Sequence, residues 1–137
     1  MSTSNITRQR IAINQRVSHT ARLFGYHYPQ TLEVNIFTIA GNLAAEYDGG
    51  FWDMYKLSNG GFYMAPASEE QFSVSAENGY EGSMSGDALG LVACLYTYSH
   101  LSFGDGTFAE ICAEQYHLLR EYIFSHSEME NILSCID

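Results

Sequence analysis

The chain has 137 residues, 46% hydrophobic and 14% aromatic, with 16 acidic residues against six basic ones and a formal net charge of −10. That is one domain's length with enough apolar content for a core without covalent staples, which excludes a disordered chain. No apolar run reaches the ~18–20 residues of a helical membrane span, and Met1 to Arg10 has no apolar stretch of the secretory-signal kind.

The charge is uneven. Residues 1–32 carry Arg8, Arg10, Arg16 and Arg22 and no acid, whereas residues 33–137 carry Lys56 and Arg120 against all 16 acids, a net −14. Such an acidic body disfavours tight binding to nucleic acid or to anionic membrane. Cys94, Cys112 and Cys135 lie far apart with no C-x-x-C pairing, which reads as reduced core thiols in a cytoplasmic protein rather than as disulfides or a zinc site.

Residues 1–28 read as a basic, loosely ordered segment with a short helix from Ser18 to Phe24 that stops at Gly25. A single domain follows over residues 29–137. Pro29 suits the first position of a helix, and Leu32, Ile36, Ile39, Ala40 and Leu43 at helical spacing carry it to Glu46. Gly41 within it suggests a close helix contact. Tyr47 to Pro66 is the aromatic centre of the chain. Asn59-Gly60 predicts a two-residue type I′ hairpin turn, with Leu57 opposite Phe62, Tyr55 opposite Met64, Lys56 opposite Tyr63 and Met54 opposite Ala65. Trp52, Met54 and Tyr63 then share one face, and Phe51, Tyr55 and Phe62 the other. Gln71 to Ala76 alternates as a half-buried strand, Asn78-Gly79 is a second turn, and Tyr80 to Met84 a short further strand.

Ser85 caps the next helix, with Asp87 in its first turn favoured by the helix dipole. This helix is apolar nearly all round, hence buried, and ends near Phe103. Thr107-x-x-Glu110 and Ser127-x-x-Glu130 read as capping boxes opening two more helices. In the last, Met129, Ile132, Leu133 and Ile136 form one apolar stripe that docks on the body. Strands grouped between helices argue α+β: a compact two-layer domain, with a three- to four-stranded antiparallel sheet and helices packed mainly on one face.

Several of these stretches resemble one family. Tyr47-Asp48-Gly49-Gly50-Phe51-Trp52, Leu57 to Pro66, Asn78 to Gly82, Met84 to Ala88 and Ser99-His100-Leu101 look like the signature of the ArdB/KlcA antirestriction proteins, as does the chain end Ile136-Asp137. The resemblance covers the chain from about Pro29 onward. It implies a two-layer α/β domain that relieves type I restriction–modification of incoming mobile-element DNA, whether plasmid, prophage or genomic island. Its partner would be a restriction–modification complex or another host protein.

The residues themselves offer no persuasive catalytic constellation. The chain has no G-x-S-x-G, no P-loop, no G-x-G-x-x-G and no H-E-x-x-H. His126-x-Glu128 reads as a solvated helix end rather than a metal chelate, and His100 as a hydrogen-bonded helix-end histidine rather than a catalytic base. Asp48 and Asp53 read as turn and surface aspartates rather than a carboxylate pair. No catalytic residue, metal or cofactor is assigned, and the chain is expected to act by binding. The alternative is a small ligand-binding or enzymatic domain using the Gly-rich aromatic hairpin around Asp48. A sheet covered by helices on one side exposes its other face unless the N-terminal segment covers it, so one of the two aromatic sets is a partner site, and the sequence does not say which. Tyr47, Asp48, Trp52, Met54 and Tyr63 are taken as partner-binding candidates, together with Asp137 at the docked chain end. DNA mimicry is the weaker mechanism. A compact domain of this length is ~37 Å across. Duplex DNA that long carries about 22 charges, against a net −14 interspersed with apolar residues. Composition does not fix the oligomeric state.

Overall fold

The computed structural model describes residues 5–137. Strands β1 (Arg8–Arg10), β2 (Trp52–Leu57) and β3 (Phe62–Pro66) form an antiparallel sheet in that order, and β4 (Gln71–Ser75) and β5 (Glu81–Ser85) form a separate antiparallel hairpin. The helices are α1 (Arg16–Phe24), α2 (Glu33–Leu43), α3 (Gly86–Leu101), α4 (Gly106–Ile123) and α5 (Met129–Ile136). The α+β class is as expected. The strands divide into two sheets, however, and the first sheet gains an N-terminal strand. No helix among the described residues is long and apolar enough to cross a membrane.

That strand corrects the expectation of a loose segment over residues 1–28, as far as it is described. Residues 1–4 lie outside the described residues. Arg8, Gln9 and Arg10 pair with Leu57, Lys56 and Tyr55, and the ladder is extended by Ile11 N–H to Met54 C=O at 2.8 Å and Ser58 N–H to Thr7 C=O at 2.8 Å. Without β1, the outer edge of β2 would leave these groups unpaired. Ile11, Thr20 and Phe24 are buried, and α1 ends at Gly25 with φ 63°. A π-helical turn follows at Tyr28–Leu32, where Glu33 N–H reaches back five residues to Tyr28 C=O. Beyond it α2 ends at Leu43, short of Glu46.

The central hairpin also departs from expectation. A type I′ turn needs φ > 0 at both central residues, but among the described residues none other than glycine has positive φ, and only Gly60 does so here, at 95°. The loop therefore has three residues, Ser58-Asn59-Gly60, closed by Gly60 N–H to Leu57 C=O at 3.0 Å and Leu57 N–H to Gly61 C=O at 2.9 Å. Asn59 is held by its side chain: Oδ1 accepts from Gly61 N–H at 3.0 Å and Nδ2 donates to Leu118 C=O at 2.9 Å. The extra loop residue slips the register by one, so Met54 faces Met64, Tyr55 faces Tyr63 and Lys56 faces Phe62. A one-residue slip exchanges faces. Trp52 and Met54 now share a face with Phe62 and Met64, and Tyr63 moves to the side of Tyr55.

Both sides of this sheet are covered. The Phe62 side packs under the N-terminal helices: the Phe24 and Tyr28 rings lie 5.6 and 6.2 Å from that of Phe62, and the Phe37 ring lies 5.1 Å from that of Trp52. Helix α3 runs along the free edge of β3, presenting the stripe Gly86, Gly90, Cys94, Tyr98. At Gly90 a Cβ would sit 2.3 Å from Ala65 Cβ and 2.5 Å from Met64 O, whereas Cys94 Sγ reaches Met64 O at 3.6 Å and Tyr98 Oη donates to Phe62 O at 2.8 Å. The side chains lengthen as helix and strand diverge. From α4, Gln115 Oε1 accepts from Phe62 N–H at 2.8 Å, and its Nε2 donates to Gly60 C=O at 3.2 Å.

The helix starts are mixed. Ser85 caps α3 as expected, its Oγ accepting from Ala88 N–H at 3.1 Å. The two capping boxes are not formed: the N-cap residues of α4 and α5 are Asp105 and Glu128, and neither side chain caps its helix.

Two helical glycines give opposite predictions. Gly41 has only Tyr47 Cδ2 at 3.9 Å from a built Cβ, so Gly41→Ala should stabilise by about 0.5–1 kcal/mol through helix propensity. Gly90→Ala collides with backbone and should destabilise by about 3 kcal/mol, the upper end for overpacking. Chemical denaturation of both variants checks the signs.

Candidate functional site

A polar cluster forms where β1, β3, the start of α3 and the α4–α5 loop meet. Asp87 lies two residues past the Ser85 cap, so helix geometry points its carboxylate back over the open helix end. Oδ1 accepts from Arg8 Nη1 at 2.6 Å and from Tyr63 Oη at 2.9 Å, and Oδ2 lies 2.7 Å from His126 Nε2. Arg8 also donates to Tyr63 Oη at 2.8 Å and lies over the Tyr55 ring at 4.2 Å. Tyr55 stacks on Tyr63 at 5.0 Å. His126 Nδ1 accepts from Glu128 N–H at 2.9 Å, so Nε2 carries the proton donated to Asp87. Glu128 turns back to Ser85, accepting from its N–H at 3.0 Å and from its hydroxyl at 2.5 Å.

Burial alone would raise the Asp87 carboxyl. The bond from His126, the Arg8 charge and the Tyr63 hydroxyl outweigh it and hold the group below the ordinary aspartate range. Tyr63 moves the other way, pushed up by burial and then by the Asp87 charge. Chemically the cluster is closed. Both imidazole nitrogens and both Asp87 oxygens are engaged, and Ser85 bonds Glu128 rather than His126, so these residues do not assemble a nucleophile–base pair. The thiols are equally quiet: burial pushes Cys94 up to about 12, and Cys112 and Cys135 to about 11. Among the described residues, no three His, Cys, Asp or Glu are grouped to hold a metal.

The expected site residues are not brought together. Trp52, Met54 and Tyr63 are buried, which corrects their reading as an exposed partner face; the register slip and the N-terminal cover put them in the core. Tyr47 is half-buried, its hydroxyl accepting from Trp52 Nε1 at 3.1 Å. Asp48 is exposed. Asp137 is exposed, 3.7 Å from Arg120 Nη2. Asp53 turns to Arg10 and Arg16 at 3.9 and 3.8 Å. His126, read as a solvated helix end, is mostly buried against Asp87, and His100 is exposed. Sequence reasoning missed the Arg8–Tyr63–Asp87–His126 set because its members are far apart in the chain. The one local signal was Asp87 next to a cap.

Because Asp87 titrates below its unfolded value, its contribution to stability is complete above the ordinary aspartate range and is lost as pH falls through the folded value. The wild-type protein should therefore lose stability below about pH 4. Asp87→Ala should be less stable at neutral pH by about 1.5–3 kcal/mol, the range for bonds to a charged group, with a shallower acid limb. Urea midpoints measured across pH test both.

Residues 45–137 match the family described as antirestriction protein. An antirestriction protein KlcA of Escherichia coli is 35% identical over 98% of this chain and 95% of its own length, and a second E. coli KlcA is 31% identical over 96% and 95%. A solved chain from work on the KlcA and ArdB proteins superimposes with a TM-score of 0.91 at 32% identity, across 100% of both chains. That work describes a novel fold and antirestriction activity against type I DNA restriction systems in vivo but not in vitro. With the family match over most of its length and the superposition end to end, this chain belongs to the antirestriction protein family.

Proposed function

We propose that this chain relieves type I restriction of incoming DNA in the cytoplasm, and that it acts by binding a host protein rather than by catalysis. The observation that carries the reading is the end-to-end superposition on the KlcA and ArdB fold, whose antirestriction activity is seen in cells but not with purified components. Activity confined to cells is what a protein acting through a further cellular factor would show. The closed Asp87 cluster and the raised thiols support binding over chemistry, since the candidate nucleophiles and bases face one another or the core. The net charge of −10 argues against tight duplex binding. Of the residues expected at a partner surface, Asp48, Asp137 and the half-buried Tyr47 remain available to a partner.

Expression in a host with a type I system should raise the plating of unmodified phage while leaving modification of the survivors largely intact. Equal plating with and without a soluble, well-expressed protein would refute the reading. Asp137→Ala should reduce relief without changing the melting temperature, because its one ion pair among the described residues is long and exposed. Full relief by this variant removes Asp137 from the partner surface.

A further inference from the structure

Five of the six basic residues lie in β1, α1 and β2. Arg8 is engaged by Asp87, while Arg10 and Arg16 share the single carboxylate of Asp53 at 3.9 and 3.8 Å. Arg22 and Lys56 make no ion pair among the described residues. Arg10, Arg16, Arg22 and Lys56 are thus answered by one carboxylate, in a chain with 16 acids. The Arg22 and Lys56 charges also converge. Both line a polar cleft of about 190 Å³ with His19, whose imidazole Nδ1 lies 3.3 Å from Arg22 Nη2 and whose charged form is disfavoured by burial and then by these two cations.

The same end carries apolar surface. Ile13 is 71% exposed, Val17 82% and Phe51 55%. Val17 and Ala21 are four residues apart on one exposed face of α1 and form an apolar stripe, which the exposed Ile13 precedes in the 3-10 turn (Ile13–Gln15) leading into the helix. Arg16 lies on one side of this stripe with its guanidinium over the Phe51 ring at 4.7 Å, and Arg22 lies on the other. Beside it is a cleft of about 460 Å³ lined by Ile11, Ile13, Arg16, Phe51 and Asp53. Aliphatic side chains beside undercompensated cations have the make-up of a protein–protein patch, with an apolar centre and a charged rim.

We propose that this β1–α1–β2 face is where the chain docks its host partner, and that the partner presents carboxylates around an apolar centre. The inference rests on the restriction-relief reading and names the surface through which it operates. Charge complementarity selects the occupant. Exposed isoleucine and valine at the middle of the patch offer nothing to a phosphate backbone, and the net −14 over residues 33–137 repels a long polyanion. A second copy would bring the same cations face to face in a two-fold arrangement.

The test compares phage plating for the parent, for Ile13→Asp with Val17→Asp, for Arg22→Glu with Lys56→Glu, and for Phe103→Asp. Phe103 is 86% exposed and lines neither cleft. Both double variants should lose relief by about tenfold or more, worth ~1.4 kcal/mol, at unchanged melting temperature, while Phe103→Asp behaves like the parent. Parental relief by both double variants overturns the docking face, as does an equal loss in Phe103→Asp. Absence of relief by the parent itself overturns the functional reading and this inference with it. The purified parent is also titrated with a short DNA duplex and with phosphatidylglycerol vesicles at about 0.15 M salt, and sedimented alone. Binding to either probe, or self-association, that disappears in Arg22→Glu with Lys56→Glu would assign the face to nucleic acid, lipid or a second copy and overturn the proposal. No binding to either probe by a monomeric parent supports it.

Discussion

The outer edge of β3 is the constraint on which the rest of the structure depends. A strand with a neighbour on one side only leaves every second residue's backbone groups unpaired, and β3 lies in the core, where each such group costs about 1–3 kcal/mol. Side chains take the place of a fourth strand. Gln115 receives Phe62 N–H, Tyr98 donates to Phe62 C=O, and Cys94 lies against Met64 C=O. This works only if α3 lies against the strand, which is why the stripe facing it begins with Gly86 and Gly90. Covering the edge also removes a template for edge-to-edge aggregation. The buried Gln115, an odd residue for a core, follows from the same requirement.

The two hairpin loops act as joints between the sheets and the C-terminal helices. In each, an asparagine precedes the positive-φ glycine and its Oδ1 holds the N–H two residues on; its amide nitrogen is then directed outward. Asn59 donates to Leu118 C=O in α4, and Asn78 donates to Ser134 and Cys135 C=O at the end of α5, both at 3.1 Å. Tyr96 adds a bond to Cys135 C=O at 2.6 Å. The Asp87 cluster is the third joint, linking β1 and β3 to α3 and to the loop before α5. An N-terminal strand tied in this way is part of the domain, and the cations it carries are held in place.

The legibility of the sequence followed the range of the interactions. The Gly25 stop, the Ser85 cap, the alternation of Phe72 and Val74 and the apolar stripe of the last helix are set by residues within a few positions of one another, and all appear as read. Strand β1 is Arg-Gln-Arg, which has no strand pattern of its own; it is a strand because β2, more than forty residues later, offers an edge. The hairpin register turned on whether Asn59 would adopt positive φ, and Leu118 C=O from a distant helix settles it by binding the Asn59 amide. The faces of the sheet then exchanged, and Trp52, Met54 and Tyr63 went from candidate surface to core. His126 looked solvated because its partner, Asp87, stands 39 residues earlier. Both capping boxes matched a local pattern, yet α4 and α5 start without side-chain caps, and Glu128 is drawn to Ser85.

Charge placement links this architecture to recognition. A short chain with +4 over its first 32 residues and −14 over the remainder would gain little from this separation if its N-terminal part were a frayed tail, because a mobile tail averages its field over many positions. Anchored through β1 and α1, the cations keep fixed positions relative to the acids of the remaining chain. Such a body has a fixed dipole, which orients it as it approaches a charged surface and raises the fraction of productive encounters. The effect acts over about a Debye length, ~8–10 Å near physiological salt, so it steers the last approach and leaves affinity to the contacts that follow. In the proposed docking those contacts are supplied by Ile13, Val17 and Phe51, exposed between the cations. Orientation and adhesion thus reside on the same face, and that face exists because β1 completes the sheet.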